Sequence, residues 1–110
     1  MIQEHGVEVF YHWLDVTKLE SVEIFAKKVL ERFGDDDVVV ANAEVGYFKR
    51  LEDLSEEEFH EMIEVNLLGV WRTIKAFLNS LKRTGGIAVV VTSDVSARLI
   101  PYGGGYVATK

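Results

Sequence analysis

Several kinds of residue and segment are scarce in this 110-residue sequence, which has no cysteine, one proline and no long apolar run. The lack of cysteine excludes disulfides, thiolate nucleophiles and cysteine-ligated metals. The longest apolar run falls far short of the roughly 18 residues that a membrane-spanning helix needs. The start of the chain also lacks the basic region and apolar stretch of a signal peptide. We therefore expect a cytoplasmic protein with no membrane partner.

Positive charge is scarce as well, since 12 Lys and Arg stand against 18 Asp and Glu, for a net charge of -6. A nucleic-acid-binding surface needs a basic footprint, so we expect no nucleic-acid partner. The three histidines have no metal-ligand spacing, and the sequence predicts no metal site. Apolar residues make up 48% of the chain, enough for the core of one small domain.

Three segments have the apolar or β-branched composition of strands, at residues 7–13, 38–41 and 87–92. Such runs are typical of parallel strands that are buried on both faces. The first helical stripe runs from 19 to 33, with Thr17 as its expected N-cap and Glu20 completing a capping box.

A second helical pattern starts with a capping box formed by Ser55 and Glu58, and it ends at the Thr-Gly-Gly of residues 84–86. It is either one long helix or two consecutive helices with a possible bend at Gly69. Pro101 suits the first turn of a final helix. The order predicts an α/β domain over residues 1–110: an incomplete Rossmann-like, doubly wound parallel sheet of three strands with flanking helices.

Polar residues follow the predicted strands: Asp15 after the first, the Asn42-Ala43 pair after the second, and Ser93 after the third. Open α/β sheets bind their ligands at this carboxyl edge of the strands. Each of these residues alone has an ordinary alternative, as a turn, loop or cap residue. Asn66 alone is better explained as a helix-surface residue or a local kink.

Tyr106 and Lys110 stand at positions i and i+4, so a helix places them on one face. An ammonium beside a phenol favours the phenolate and lowers the pKa of the tyrosine from its usual value of about 10. Such a phenol can pass a proton near neutral pH. The hydroxyl of Ser93 is suited to hydrogen-bond a substrate oxygen on which charge develops. Alone, the Tyr-Lys pair is more readily explained as an exposed helical pair.

Taken together, these residues resemble the short-chain dehydrogenase/reductase family, and the chain is similar to its central segment ending at the Tyr-x-x-x-Lys motif. The matching stretches are DVT at 15–17, ANAEVG at 41–46, VNLLG at 65–69, VVVTSDVS at 89–96 and YVATK at 106–110. The resemblance implies reversible hydride transfer between NAD or NADP and a small-molecule alcohol or carbonyl substrate, with the nicotinamide carrying the hydride.

The resemblance also implies catalytic roles for four residues. Tyr106 would be the general acid and base, and Ser93 would position the substrate oxygen. Lys110 would hold the nicotinamide ribose and lower the pKa of Tyr106, and Asn66 would support a water in the proton relay.

Cofactor contacts are implied at both ends of the dinucleotide. Asp15 and Val16 would lie against the adenine, and Asn42 and Ala43 would line the cofactor near its ribose. Tyr106 and Lys110 belong to both the catalytic and the cofactor-binding set.

Two departures from the family pattern predict weak cofactor binding. The Asn-Asn-Ala-Gly motif reads Ala-Asn-Ala-Glu at 41–44, so Glu44 adds bulk and negative charge beside the cofactor. The sequence also has no G-x-x-x-G-x-G turn for the pyrophosphate. The alternative is a non-catalytic fragment or interaction module derived from such an enzyme. An open strand edge near 38–40 and an apolar helix face over 67–81 predict a homo-oligomer.

Overall fold

The computed structural model describes residues 5–98 and 100–110, and in this part of the chain two strands form a parallel sheet. These strands are β1 (Val38–Ala41) and β2 (Ile87–Val90), which pair in register from Val38 with Ile87 to Ala41 with Val90. The ladder extends one step further, because the Val91 N–H donates to the Ala41 carbonyl at 3.1 Å. The predicted α/β class and parallel sheet are confirmed.

Helices make up most of the rest of the described chain. They are α1 (Leu19–Phe33), α2 (Glu56–Met62), α3 (Gly69–Thr84) and α4 (Gly104–Thr109), with a π-helical segment (Ile63–Leu68) between α2 and α3 and short 3-10 turns at Leu51–Asp53 and Asp94–Ala97. None of these helices is long and apolar enough to cross a membrane.

The long helical pattern after Ser55 is one uninterrupted helical run in which the middle turn is wider than an α-helix. Its predicted start is confirmed, since Ser55 Oγ accepts the Glu58 N–H at 3.1 Å. Its predicted end is confirmed by Gly85, whose φ of 67° is the left-handed conformation that glycine adopts without strain. Gly69 permits a close approach to the segment before α1, because a Cβ there would lie 2.9 Å from Val16 Cγ2.

The core lies on one face of the sheet, where α1 and α3 pack together. Ala26, Val39, Phe77 and Leu81 form its buried cluster. On the opposite face, Val38 and Val40 of β1 are exposed, and all four residues of β2 are exposed whichever face they lie on. The prediction that these strands are buried on both faces is therefore wrong, because the described helices α1 and α3 cover only one face of the sheet.

The predicted first strand at residues 7–13 is also wrong. These residues form no regular element, and Tyr11 is 88% exposed. A strand exists only where a neighbour completes its hydrogen-bonded ladder, and the described sheet has two strands rather than three. The segment is instead held by its side chains, with the ring of Phe10 stacked on Phe25 of α1 at 6.5 Å between centroids.

Two boundaries differ from the prediction near the end of the chain. Strand β2 ends at Val90 rather than at residue 92. Helix α4 begins at Gly104 rather than at Pro101, because Pro101 and Tyr102 form a turn in which Tyr102 has a φ of 63°. This positive φ is incompatible with a right-handed helix, so the helix starts after the turn.

Candidate active site

The side chains of Tyr106 and Lys110 meet the carboxylate of Glu44. The Tyr106 hydroxyl donates to Glu44 Oε2 at 2.8 Å, and Lys110 Nζ lies 3.2 Å from the same oxygen. Lys110 Nζ also donates to the Val91 carbonyl, just beyond β2, at 2.9 Å. Tyr106 is 6% exposed and the Lys110 side chain 3%, whereas the Glu44 side chain is 51% exposed. One carboxylate oxygen thus joins the two residues of the predicted pair.

Tight packing fixes α4 in this position. A Cβ on Gly105 would lie 2.6 Å from Leu54 Cδ2 and 3.0 Å from Met62 Cε, so glycine lets α4 approach α2 without displacing these side-chain ends. The ring of Tyr106 packs on Phe48 at 4.9 Å between centroids. The fold therefore holds the phenol ring in place independently of its hydroxyl contact.

The electrostatics at Tyr106 differ from the prediction. Burial raises the pKa of Tyr106 above its usual value, and its hydrogen bond to Glu44 raises the pKa further. The net direction is therefore opposite to the predicted lowering of the Tyr106 pKa, and the contribution of Lys110 to it stays a prediction. The hydrogen bonds from Tyr106 and Lys110 in turn lower the pKa of Glu44.

Ser93 lies beside this group, at the start of the turn Asp94–Ala97. Its backbone precedes the turn as the N-cap, and its Oγ accepts the Val95 N–H at 3.4 Å. Its side chain lies near enough to Tyr106 to exert a lowering influence on the pKa of that phenol. The structure thus brings Ser93, Tyr106 and Lys110 together at the carboxyl end of β2.

Asn66 lies in the π-helical segment and is 4% exposed. Its Oδ1 accepts the Val45 N–H at 2.9 Å, and its Nδ2 donates to the Val45 carbonyl at 2.8 Å and to Thr109 Oγ1 at 2.9 Å. These three bonds tie the loop after β1 to α4. A role for Asn66 in holding a relay water stays a prediction, and its side chain has a positioning role that the sequence did not reveal.

The carboxylate of Asp15 organises the chain before α1. Its Oδ1 accepts the Thr17 N–H at 2.9 Å and the Thr17 hydroxyl at 2.7 Å, and these hydrogen bonds lower the pKa of Asp15. The prediction that Thr17 caps α1 is wrong, because this turn uses its hydroxyl and the N-cap is Lys18.

Val16, Asn42 and Ala43 line one groove of about 470 Å³ along β1. Its other walls are mostly apolar, including Phe10 and Phe25. Asn42 and Ala43 are exposed where β1 ends. Three of the predicted cofactor-binding residues therefore share one surface, while Asp15 stands next to it in the chain.

Within residues 5–98 and 100–110, no group of three or more His, Asp or Glu side chains is arranged to hold a metal ion. The site residue that the sequence analysis characterised least well is Glu44. Its departure from the family motif marked it as unusual, but no pattern in the sequence indicated that it contacts Tyr106.

Comparison with known proteins identifies the family. The model of the short chain dehydrogenase family matches residues 1–110. A 3-oxoacyl-[acyl-carrier-protein] reductase of Staphylococcus epidermidis is 36% identical over 110 residues, which cover 99% of this chain and 45% of that protein. An uncharacterized NAD-dependent oxidoreductase of Mycobacterium tuberculosis is 33% identical over 111 residues, covering 99% of this chain and 40% of that protein.

Solved structures agree with this assignment. One is the X-ray structure of an alcohol dehydrogenase from the archaeon Thermococcus sibiricus, complexed with 5-hydroxy-NADP. Its sequence is 84% identical to this chain, and the two folds superpose with a TM-score of 0.93. The match covers 98% of this chain and 46% of that chain. The chain thus spans less than half the length of these relatives. On its sequence and on its fold, the chain belongs to the short-chain dehydrogenase family.

Proposed function

We propose that this chain forms the catalytic part of an NAD- or NADP-dependent oxidoreductase that interconverts a small-molecule alcohol and the corresponding carbonyl compound. The observation that carries the proposal is the convergence of Ser93, Tyr106 and Lys110 at the carboxyl end of β2. A buried phenol, a hydroxyl beside it and a buried ammonium are the groups that proton transfer to a carbonyl oxygen requires.

The residues present fit the ribose of a nicotinamide cofactor on one condition. The hydroxyl of Tyr106 and the ammonium of Lys110 are donors suited to ribose hydroxyls, and Asn42 and Ala43 are exposed at the adjoining strand end. Both donors now contact Glu44, so its carboxylate has to move for them to bind a ribose. Because the Glu44 side chain is half exposed, it has room to turn towards solvent.

The bound cofactor would supply the hydride acceptor or donor. Tyr106 Oη gives up its proton to the substrate oxygen during reduction and takes one during oxidation. The phenol is protonated at neutral pH and so can donate to a carbonyl oxygen, and displacement of Glu44 removes one of the contacts that raise its pKa. Ser93 holds the same oxygen, and Lys110 keeps a positive charge close to it, fixed by the Val91 carbonyl.

The known relatives support this proposal without choosing between cofactors. The Thermococcus sibiricus enzyme is an alcohol dehydrogenase complexed with an NADP derivative, and the Mycobacterium tuberculosis relative is named NAD-dependent. We therefore propose NAD or NADP. A homo-oligomeric state and a cytoplasmic location stay predictions.

A non-catalytic module derived from such an enzyme is the second candidate. The observation that favours it is Glu44, whose carboxylate occupies both donors of the Tyr106 and Lys110 pair. The two candidates differ in whether the site turns over once the rest of a family member surrounds it.

A chimera tests the proposal. Residues 1–110 replace the matching stretch of the Thermococcus sibiricus alcohol dehydrogenase, which is 84% identical. NADP-dependent alcohol oxidation is then followed by absorbance. We expect activity, and we expect Tyr106→Phe to reduce the rate by about 10²–10⁴-fold, the usual contribution of a proton-transfer group.

Tyr47→Phe is the matched control, because the Tyr47 hydroxyl also donates to a glutamate, Glu61, but on the exposed surface. Its rate should stay within a few-fold of the parent chimera. A folded, cofactor-binding chimera with no turnover would support the non-catalytic module. A Tyr106→Phe rate equal to that of the control would refute the proposed mechanism.

A further inference from the structure

The contacts of the Glu44 carboxylate with Tyr106 and Lys110 have no role in the proposed chemistry. Among the described residues, Glu44 has no other hydrogen-bond or ion-pair partner. It lies in the loop after β1, where its neighbours Asn42 and Ala43 are exposed. A carboxylate in this position satisfies the two donors that a cofactor ribose would otherwise use.

We propose that Glu44 is a displaceable plug: its carboxylate holds Tyr106 and Lys110 in the cofactor-free chain, and a nicotinamide cofactor must displace it to reach them. The plug rests on the proposed function, since it assigns a competitor to the cofactor at the same donors. It makes Glu44 a determinant of cofactor affinity.

The part that moves is the Glu44 side chain rather than the loop. The next residue, Val45, is bonded through both its N–H and its carbonyl to the buried amide of Asn66. These bonds fix the loop backbone beside Glu44. The half-exposed Glu44 side chain is free to rotate towards solvent.

The two donors stay in place when the plug leaves. Lys110 keeps its bond to the Val91 carbonyl at 2.9 Å, and the Tyr106 ring stays packed against Phe48. Displacement of Glu44 therefore exposes a preformed pair of donors instead of disordering the site. Preformed donors reduce the ordering cost of binding.

Removing the plug has opposite effects on the free and the cofactor-bound chain. Without cofactor, Glu44→Gly leaves the buried Lys110 ammonium with its Val91 partner alone, so the variant should melt at a lower temperature than the parent. With cofactor, the same variant no longer has to break two charge-assisted contacts. Its affinity for NADPH or NADH should rise about tenfold or more.

The experiment uses the 110-residue chain with Glu44→Gly, the size-matched Glu44→Gln, and Glu61→Gln as control. Glu61 accepts the Tyr47 hydroxyl at 2.6 Å, which is a second glutamate–tyrosine contact away from Lys110. NMR of ¹³C-labelled tyrosine, with Tyr106→Phe to assign the signal, follows ionisation without cofactor. NMR titration with NADPH and NADH measures affinity.

We expect Glu44→Gln to lower the pKa of Tyr106, and Glu61→Gln to lower that of Tyr47 alone. We expect Glu44→Gly to bind cofactor more tightly than the parent and the control. An unchanged pKa of Tyr106 in Glu44→Gln would overturn the plug. Equal cofactor affinity of Glu44→Gly and the parent, including no detectable binding by either, would overturn the plug alone. A folded chimera that neither binds NADPH nor turns over would overturn the proposed function together with the plug.

Discussion

Replacing Asn66 by alanine should destabilise the chain more than any exposed substitution of the same kind. The side chain is buried and makes three hydrogen bonds, two to the Val45 backbone and one to Thr109 Oγ1. Alanine leaves the Val45 N–H and carbonyl without these partners. The Thr109 hydroxyl is less affected, because it still donates to the Tyr106 carbonyl at 2.9 Å.

The magnitude follows from the two backbone groups. An abandoned buried partner costs about 1–3 kcal/mol, and water can reach the half-buried Val45 in part. We therefore expect Asn66→Ala to lower the free energy of unfolding by about 2–4 kcal/mol. Asn66→Asp should cost a similar amount, since it keeps the acceptor for the Val45 N–H but turns a carboxylate oxygen towards the Val45 carbonyl.

Urea denaturation followed by circular dichroism measures these values. Asn79→Ala is the matched control, because Asn79 is exposed on α3, and it should change stability by less than about 0.5 kcal/mol. If Asn66→Ala cost no more than Asn79→Ala, the bonds that we assign to Asn66 would not tie the loop to α4.

Three further predictions follow from the same structure. Gly69→Ala should lower the free energy of unfolding by about 1–3 kcal/mol in urea melts, because its Cβ would lie 2.9 Å from Val16 Cγ2; an unchanged midpoint would show that the helix is not packed as closely as described. Stability should fall as the pH drops below about 4.5. The pKa values of Glu44 and Asp15 are lowered in the folded chain, so both carboxylates stabilise the fold above their unfolded pKa values. This stabilisation is lost as the pH falls through their folded pKa values. Unfolding at several pH values checks this, and a gain of stability on acidification would contradict it. The isolated chain should bind NADPH no tighter than about 1 mM, roughly -4 kcal/mol, because the sequence has no glycine-rich pyrophosphate turn and Glu44 competes for the ribose donors; a micromolar dissociation constant by calorimetry would refute this.

Local signals in the sequence were sufficient to predict those features that depend only on residues nearby in the chain or on strand composition. The Ser55 cap, the glycine stop at Gly85 and the two parallel strands β1 and β2 depend on neighbouring residues or on strong β-branched runs, and the structure confirms them. The segment at residues 7–13 has a similar composition, but a strand also needs a partner. Composition does not report whether one is present.

The fold brings Ser93, Tyr106 and Lys110 close together, as the sequence predicted. The direction in which the pKa of Tyr106 shifts was not predictable from the sequence. The spacing of Tyr106 and Lys110 places both on α4 or at its end, and it says nothing about a residue from a distant loop. The contact of Glu44 with Tyr106 spans 62 positions. Burial and this contact with Glu44 raise the pKa of Tyr106, against the expected direction. Only the fold brings these three charges and dipoles together.

The most direct test of the central claim, that Ser93, Tyr106 and Lys110 form a hydride-transfer site, is deuterium transfer in the chimera. NADPH carrying deuterium at the nicotinamide C4 is incubated with a carbonyl substrate, and mass spectrometry follows the label in the alcohol product. We predict label in the product of the parent chimera, and an appearance rate about 10²–10⁴-fold lower with Tyr106→Phe. Labelled alcohol formed at the same rate by both proteins would contradict the account.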